Sequence, residues 1–376
     1  MERSRSVRTA AEDRPMTSIL TLDGAHGVGG GQILRTALSL SVITGRAVRL
    51  FNVRAHRRNP GLRPQHLSAV SAAAAICDAA VGHDVLGSTE LLFRPAHPPE
   101  AGHYAFDVAD AAAHGSAGSV TLILQTLMVP LATAHGKSGL VVRGGTHVEW
   151  SPPFDYLACA YVPALRRLGL VVEVDLKRWG WYPVGGGEVS CEIAGRPHGF
   201  DRHTGWEPLL ALSPGALTGI KGRAVAANLP AHIPQRMADR ARNLLLDLNA
   251  PVEIEPLRVT AACPGAGIFL VAEYENLPAA FSAYGRQGKP SEVVAEEAVA
   301  TLREHHASGA AVERYLADQI LLPLAVASGP SEFTVSQPSN HLLTYAWAIG
   351  QFEVADISVE SGPPCKVRVT PRSADH

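Results

Sequence analysis

SILTLDGAHGVGGGQILRTALSLSVIT, residues 18–44, passes from a β-type run through a glycine loop into a helical stripe. Residues 18–23 form the strand, and 24–31 supply the loop. From Gln32 onward, Ile33, Leu34, Ala37, Leu38 and Leu40 recur at helical spacing, which predicts a helix over 32–44. Gly45 stands where such a helix would stop in a left-handed cap. Beyond it the pattern predicts a strand at 47–54, a turn at Asn59-Pro60-Gly61, an alanine-rich helix from about 64 to 80, and a strand at 90–94.

The same order then returns. Gly115-Ser116-Ala117-Gly118 opens a helix running to about 134, followed by a strand at 140–143 and a Gly144-Gly145 turn. After Pro152-Pro153 come a helix at 154–168 and a strand at 170–175. Late in the chain a helix at 312–328 precedes a strand at 332–336, a turn at 337–340 and a helix at 341–352. The helix openings near Gly31, Gly118 and Ala311 are separated by 87 and 193 residues, so the second interval exceeds the first by about a hundred. The expected fold is α/β (α+β): three repeated α/β units form a large domain, and a smaller α/β domain is inserted before the third. The expected boundaries are a disordered lead at 1–17, a large domain at 18–204 plus 310–371, and the small domain at 205–309. Strand and helix signals inside that last stretch fall at 207–212, 234–248 and 268–274.

With 376 residues, 46% of them hydrophobic and 18% charged, the chain excludes a disordered tail or a disulfide-stapled miniature. Thirty-three basic residues against 35 acidic ones leave no global field to attract nucleic acid or membrane. Locally the balance differs. No Asp or Glu occurs between Gly24 and Cys77, whereas Arg35, Arg46, Arg49, Arg54, Arg57, Arg58 and Arg63 all lie there, which points to an anionic ligand. The five cysteines have no C-x-x-C spacing and read as reduced thiols in a cytoplasmic protein. Residues 1–18 carry arginines without an apolar core, so no secretory signal is expected. The longest apolar run, 120–134, is too short and too broken for a bilayer span.

Three constellations could carry chemistry. The glycine loop, between strand and helix, can bring backbone N–H groups close to a phosphate; equally, it can be only a tight turn. It is not a Walker A motif, since no Gly-Lys-Ser/Thr follows, nor a dinucleotide fingerprint, since Gln32 stands where the third glycine belongs. The run RAHRRNPGLRPQH, 54–66, gathers guanidinium, amide and imidazole donors at a strand end, a cup for triphosphate or RNA phosphates. His341 follows the Pro338-Ser339-Asn340 turn at a helix start, where Ser339 or Asn340 can cap. The positive helix end would keep its ring neutral and nucleophilic; the plainer reading is a polar helix-start residue. His147-Val148-Glu149 lacks the Pro-Cys-x-x-Cys partner of a zinc deaminase. His97, His103 and His114 are expected to be loop residues, and no zinc site is suggested.

Seven stretches, DGAHGVGGGQILR (23–35), RAHRRNPGLRPQHL (54–67), GSAGSVTLILQT (115–126), RGGT (143–146), GWYPVGGGE (180–188), YLADQ (315–319) and SNHLLT (339–344), occur in an order that resembles the RNA 3′-terminal phosphate cyclases, over about 19–368. The resemblance implies three α/β repeats with one inserted domain. It also implies a ligase that converts an RNA 3′-phosphate to a 2′,3′-cyclic phosphate with ATP as co-substrate. By position His341 is the nucleophile that would take AMP from ATP and pass it to the RNA end. The carried-over nucleotide contacts are Gln125, Pro152, Tyr315, Leu316, Ala317, Asp318 and Gln319, with Tyr315 stacking on adenine against Pro152, Asp318 meeting the ribose and Gln319 the base edge. Phosphates would fall to Gln32, Arg35, Arg54, Arg57, Gln65 and His66. One position departs. The family's glycine-loop Glu, a ligand for Mg²⁺ or Mn²⁺, is Val28 here, so no protein metal ligand is expected, with His26 a conceivable substitute. Two rivals remain at this stage: a member acting only as an RNA or ribosome-assembly binding protein, and an enolpyruvyl transferase of related architecture. The latter would not need His341, and this chain has only five lysines.

Overall fold

The computed structural model describes residues 19–111, 117–196 and 205–372. The 1–17 lead and His114 lie outside them. Three four-stranded sheets share one topology. In the first, β1 (Leu20–Asp23) runs parallel to β2 (Val48–Phe51), β2 antiparallel to β4 (Leu91–Arg94), and β4 antiparallel to β3 (Ala80–Gly82). Helix α1 (Gly31–Thr44) connects the parallel pair, and α2 (Pro64–Ala75) precedes β3. As expected from Gly45, α1 ends in a left-handed residue there.

The second sheet repeats this with β5 (His103–Asp107), β6 (Lys137–Gly144), β7 (Val171–Arg178) and β8 (Gly187–Ala194). Its helices are α3 (Val120–Thr133) and a composite of α4 (Phe154–Tyr156), a π-turn (Leu157–Tyr161) and α5 (Val162–Arg167). Pro163 has no N–H to return to the preceding turn, and the widened turn beside it accommodates that loss.

The third sheet begins earlier than the sequence suggested. β9 (Leu210–Ala211) pairs parallel with a strand more than a hundred residues later, so these residues belong to the third sheet although they fall within the stretch expected to be inserted. Two residues carry too little alternation to reveal this from sequence. The chain then enters a separate sheet of β10 (Leu217–Ala227), β11 (Val252–Val259), β12 (Gly265–Tyr274) and β13 (Ala279–Tyr284), in spatial order β11-β10-β12-β13. Helices α6 (His232–Leu245) and α7 (Ser291–Ser308) pack on it around their own core of Ile220, Met237, Ile268, Val294, Leu302 and neighbours. The third unit resumes with α8 (Arg314–Gln319), α9 (Leu321–Ala325), β14 (Ser331–Val335), α10 (Asn340–Gln351), β15 (Ala355–Glu360) and β16 (Cys365–Pro371). The single helix expected at 312–328 is two short ones that meet at Ile320, and Pro323 stands early in the second.

Apolar faces of all three units merge in one core, with Ile33 and Leu38 from α1, Leu124 and Leu127 from α3, and Leu316, Leu321 and Leu342 from the third unit. That convergence brings the helix N-termini of different repeats to one place. All five cysteines are free. Among the described residues no helix is long and apolar enough to cross a membrane.

Candidate active site

Gly30 caps α1 with a φ of 91°, and basic side chains converge on the loop it closes. A Cβ placed on Gly31 would fall 2.5 Å from His66 Nε2 and 2.8 Å from Arg35 Nη1; one on Gly30 would lie 3.3 Å from Arg57 Nη2. Only hydrogen leaves room for that approach. Arg57 also donates to the Val28 carbonyl at 3.2 Å, so the arginine loop clasps the glycine loop. Arg54, in the left-handed region at φ 58°, donates to the carbonyls of Asn59 and Gly61 at 2.9 and 3.0 Å.

His66 Nδ1 accepts the Arg63 backbone N–H at 3.0 Å, which leaves the proton on Nε2 facing Gly31. Burial first, then the charges of Arg35, Arg54 and Arg63, push its pKa down to about 3. A neutral N–H donor therefore sits among guanidinium groups. The pKa of Arg54 is lowered by burial and by Arg63 and Arg57, and that of Arg35 chiefly by burial. Not all seven arginines await a ligand, however. Arg46 pairs with Glu353 at 3.5 Å and Arg49 with Glu90 at 3.1 Å, acids remote in sequence. Arg35, Arg54, Arg57, Arg58 and Arg63 form no ion pair with a carboxylate among the described residues, so the demand for an anion rests on these five.

His341 arrives from the third unit at the start of α10. Ser339 is its cap, accepting the Leu342 N–H at 2.9 Å. The His341 ring Nδ1 lies 2.5 Å from Gln32 Oε1, and Gln32 Nε2 donates to the His341 carbonyl at 3.0 Å. The second bond orients the amide, so its oxygen accepts from Nδ1–H and the lone pair resides on Nε2. Desolvation, then Arg57 and Arg35, hold the ring below the ordinary imidazole pKa. A neutral imidazole with a free Nε2 beside a cationic cup is a nucleophile prepared for an anionic electrophile.

The remaining expected residues gather nearby. Gln125 on α3 donates to Gln319 on α8 at 2.5 Å, and both border a cavity of about 10 Å³ with Arg35 and Tyr345. The Pro152 carbonyl accepts from Thr121 near the start of α3 at 2.6 Å. Tyr315 is 51% exposed, its ring covered by its neighbour Arg314 at 4.6 Å. Asp318 is buried, and burial followed by Glu313 raises its carboxyl well above the carboxylate range. Leu316 and Ala317, by contrast, are 0% exposed and lie in the main core, so their side chains shape α8 and only their backbone could meet a ligand. Gln65 points to another surface, the large cleft described below.

Two contributors escaped sequence reading. Thr344 Oγ1 accepts the Val28 N–H at 3.3 Å while donating to the Asn340 carbonyl, fastening α10 to the glycine loop; its place three residues after His341, on the same helical face, was the available signal. Glu313 caps α8 through the N–H groups of Tyr315 and Leu316 and accepts from Tyr156 at 2.9 Å, joining α8 to the helix after Pro152. Burial lifts the Glu313 carboxyl to about 7.

The donor set does not fit a protein-held metal. Among the described residues no group of three or more His, Cys, Asp or Glu could hold one. His26 is stacked on Trp347, ring centroids 3.8 Å apart, and Val28 offers only backbone.

The sequence is similar to proteins of one family. A family model described as RNA 3′-terminal phosphate cyclase matches residues 26–359. An RNA 3′-terminal phosphate cyclase of Methylococcus capsulatus is 51% identical over 91% of this chain and 93% of its own. That of Gloeothece citriformis is 50% identical over 91% and 95%, and that of Thermococcus kodakarensis 42% over 93% and 97%.

Proposed function

Because the chain belongs to the RNA 3′-terminal phosphate cyclase family, we propose that it cyclises an RNA 3′-phosphate with ATP through an adenylate on His341. The observation that carries this reading is the His341–Gln32 pair, which leaves Nε2 unprotonated beside Arg57. In the first step Nε2 attacks the α-phosphorus of ATP, the bond to the bridging oxygen breaks, and pyrophosphate leaves with its electron pair. The Nδ1 proton stays on the ring, where Gln32 Oε1 stabilises the charge the ring acquires. An RNA 3′-phosphate oxygen then attacks the same phosphorus and the P–N bond breaks, returning the lone pair to the imidazole. Finally the neighbouring 2′-hydroxyl attacks the 3′-phosphorus, loses its proton, and displaces AMP.

The protein's part is to position groups and offset charge. Arg54, Arg57 and the neutral His66 N–H supply donors at the glycine loop, and the N-terminus of α10 adds positive potential beside the nucleophile. Tyr315, Gln319 and Asp318 are assigned to the nucleoside; stacking on Tyr315 requires Arg314 to leave the ring or to extend the stack. A stacked base contributes about 1–3 kcal/mol.

One observation favours a binding-only member: Val28 stands where the family's glycine loop carries Glu. A single experiment separates the two. ATP labelled at the α-phosphate is incubated with the protein and Mg²⁺ in the absence of RNA. Acid-labile, base-stable label is expected on wild type and none on His341→Ala. An unlabelled wild type would overturn the adenylate reading, and a labelled His341→Ala would remove His341 from the role.

A further inference from the structure

Between the body and the inserted sheet lies a cleft of about 1510 Å³, beyond the roughly 300–1,000 Å³ usual for a small-molecule pocket. One wall comes from the residues before α3 and the turn through Trp150; the other comes from the first turns of α6 and α7 and the segment between β13 and α7. Four features define what it could hold. Gln65 lines it from the same helix start that carries His66 to the glycine loop, so the cleft borders the helix of the phosphate site. Trp150 and Tyr182, both in the lining, are 97% and 74% exposed. The lining carries Arg236, Arg286 and Lys289 against the single carboxylate of Glu149. Arg236 and Lys289 are engaged with Glu292 and Glu297, whereas Arg286 pairs with no carboxylate among the described residues. Lastly, the Trp181 indole N–H and the Tyr284 hydroxyl, both in the lining, have no hydrogen-bond partner.

Exposed aromatic faces beside a guanidinium that has no carboxylate partner are the chemistry that meets unpaired bases strung on phosphates. An apolar peptide would leave Arg286 without an anion, and a duplex would keep its bases stacked away from the rings. We propose that this cleft grips the single-stranded RNA leading into the 3′-phosphate site, with bases on Trp150 and Tyr182 and the backbone beside Arg286. The proposal rests on the reading of the His341 site as one that takes an RNA 3′-phosphate.

Binding is measured by fluorescence anisotropy with 5′-labelled RNA ending in a 3′-phosphate, as a dinucleotide and as a decamer. Trp150→Ala is expected to weaken the decamer about 5- to 150-fold, the range of one lost stack, and to leave the dinucleotide unchanged. Trp150→Phe should restore most of the decamer affinity, and Arg286→Ala should lower the salt slope for the decamer by about 0.7. An unchanged decamer, equal losses for both lengths, or a Phe variant as weak as Ala would each overturn the assignment. Self-labelling with ATP alone is followed in parallel, since it needs no RNA. A wild type that forms no adenylate overturns the functional reading. One that forms it, while Trp150→Ala binds the decamer normally, overturns only the cleft, and a cleft serving a protein partner would give that result.

Discussion

Replacing Gln32 by Leu keeps the buried volume and removes both bonds that hold His341. Those bonds are Nδ1 to Gln32 Oε1 at 2.5 Å and Gln32 Nε2 to the His341 carbonyl at 3.0 Å. At about 0.5–1.5 kcal/mol each, their loss comes to about 1–3 kcal/mol. If both are fully expressed in the attack on ATP, adenylation slows about 5- to 150-fold. Part of the loss is tautomeric: without an acceptor at Nδ1, the proton occupies Nε2 for part of the time, and that form cannot attack. The assay is single-turnover labelling with ATP carrying the α-label, quenched over a time course, with thermal melts to show that the variant is folded at the assay temperature. Gln32→Glu adds a directional arm. A carboxylate beside the ring raises the imidazole pKa, reversing the depression seen in the wild type, so the acid limb of the rate profile should move to higher pH. A Leu variant that labels at the wild-type rate, with a Glu variant whose profile is unmoved, would refute the role given to Gln32.

Three further outcomes are expected. His66 has its pKa at about 3 in the fold against an ordinary 6.5, so the stability it lends is complete above pH 6.5 and is lost as pH falls toward 3. Near pH 5 that loss is about 2 kcal/mol, and melts of wild type and His66→Gln between neutral pH and pH 5 should show the variant losing correspondingly less. Gly61 has φ 75° and a Cβ there would lie 2.1 Å from the Gly87 carbonyl oxygen, so Gly61→Ala should cost more than the ~1–2 kcal/mol of the backbone conformation alone; an unmoved denaturation midpoint would contradict this. Val28→Glu places a carboxylate on the glycine loop, and the Mg²⁺ concentration needed for half-maximal labelling should fall several-fold; an unchanged requirement would place the loop out of reach of the nucleotide's cation.

Much of the site could be read in the chain because its parts are local. A glycine run between a strand and a helical stripe, arginines without neighbouring acids, and a histidine after a capping turn each announce themselves within a dozen residues. The repeat was legible from helix spacing. What stayed hidden depends on distant partners. Arg46 and Arg49 are satisfied by Glu353 and Glu90, which no local count reveals. His147, whose motif the sequence could only set aside for want of a Cys pair, is buried 2.8 Å from Asp155, which in turn meets Arg223 of the inserted sheet at 3.3 Å. Those three residues are joined only by folding. Leu316 and Ala317 show the converse: a contiguous motif suggests that every member touches ligand, while helical geometry turns two of the five into the core.

The uncompensated guanidinium groups of Arg54, Arg57 and Arg63 make the ligand-free enzyme receptive to counterfeits. Sulfate or inorganic phosphate in a purification buffer would settle there and raise the melting temperature, by about 1.4 kcal/mol of stability when tenfold above its dissociation constant. The same ions would slow turnover by competition. Preparations in chloride and in phosphate would then look like two different proteins, one fragile and quick, the other sturdy and sluggish.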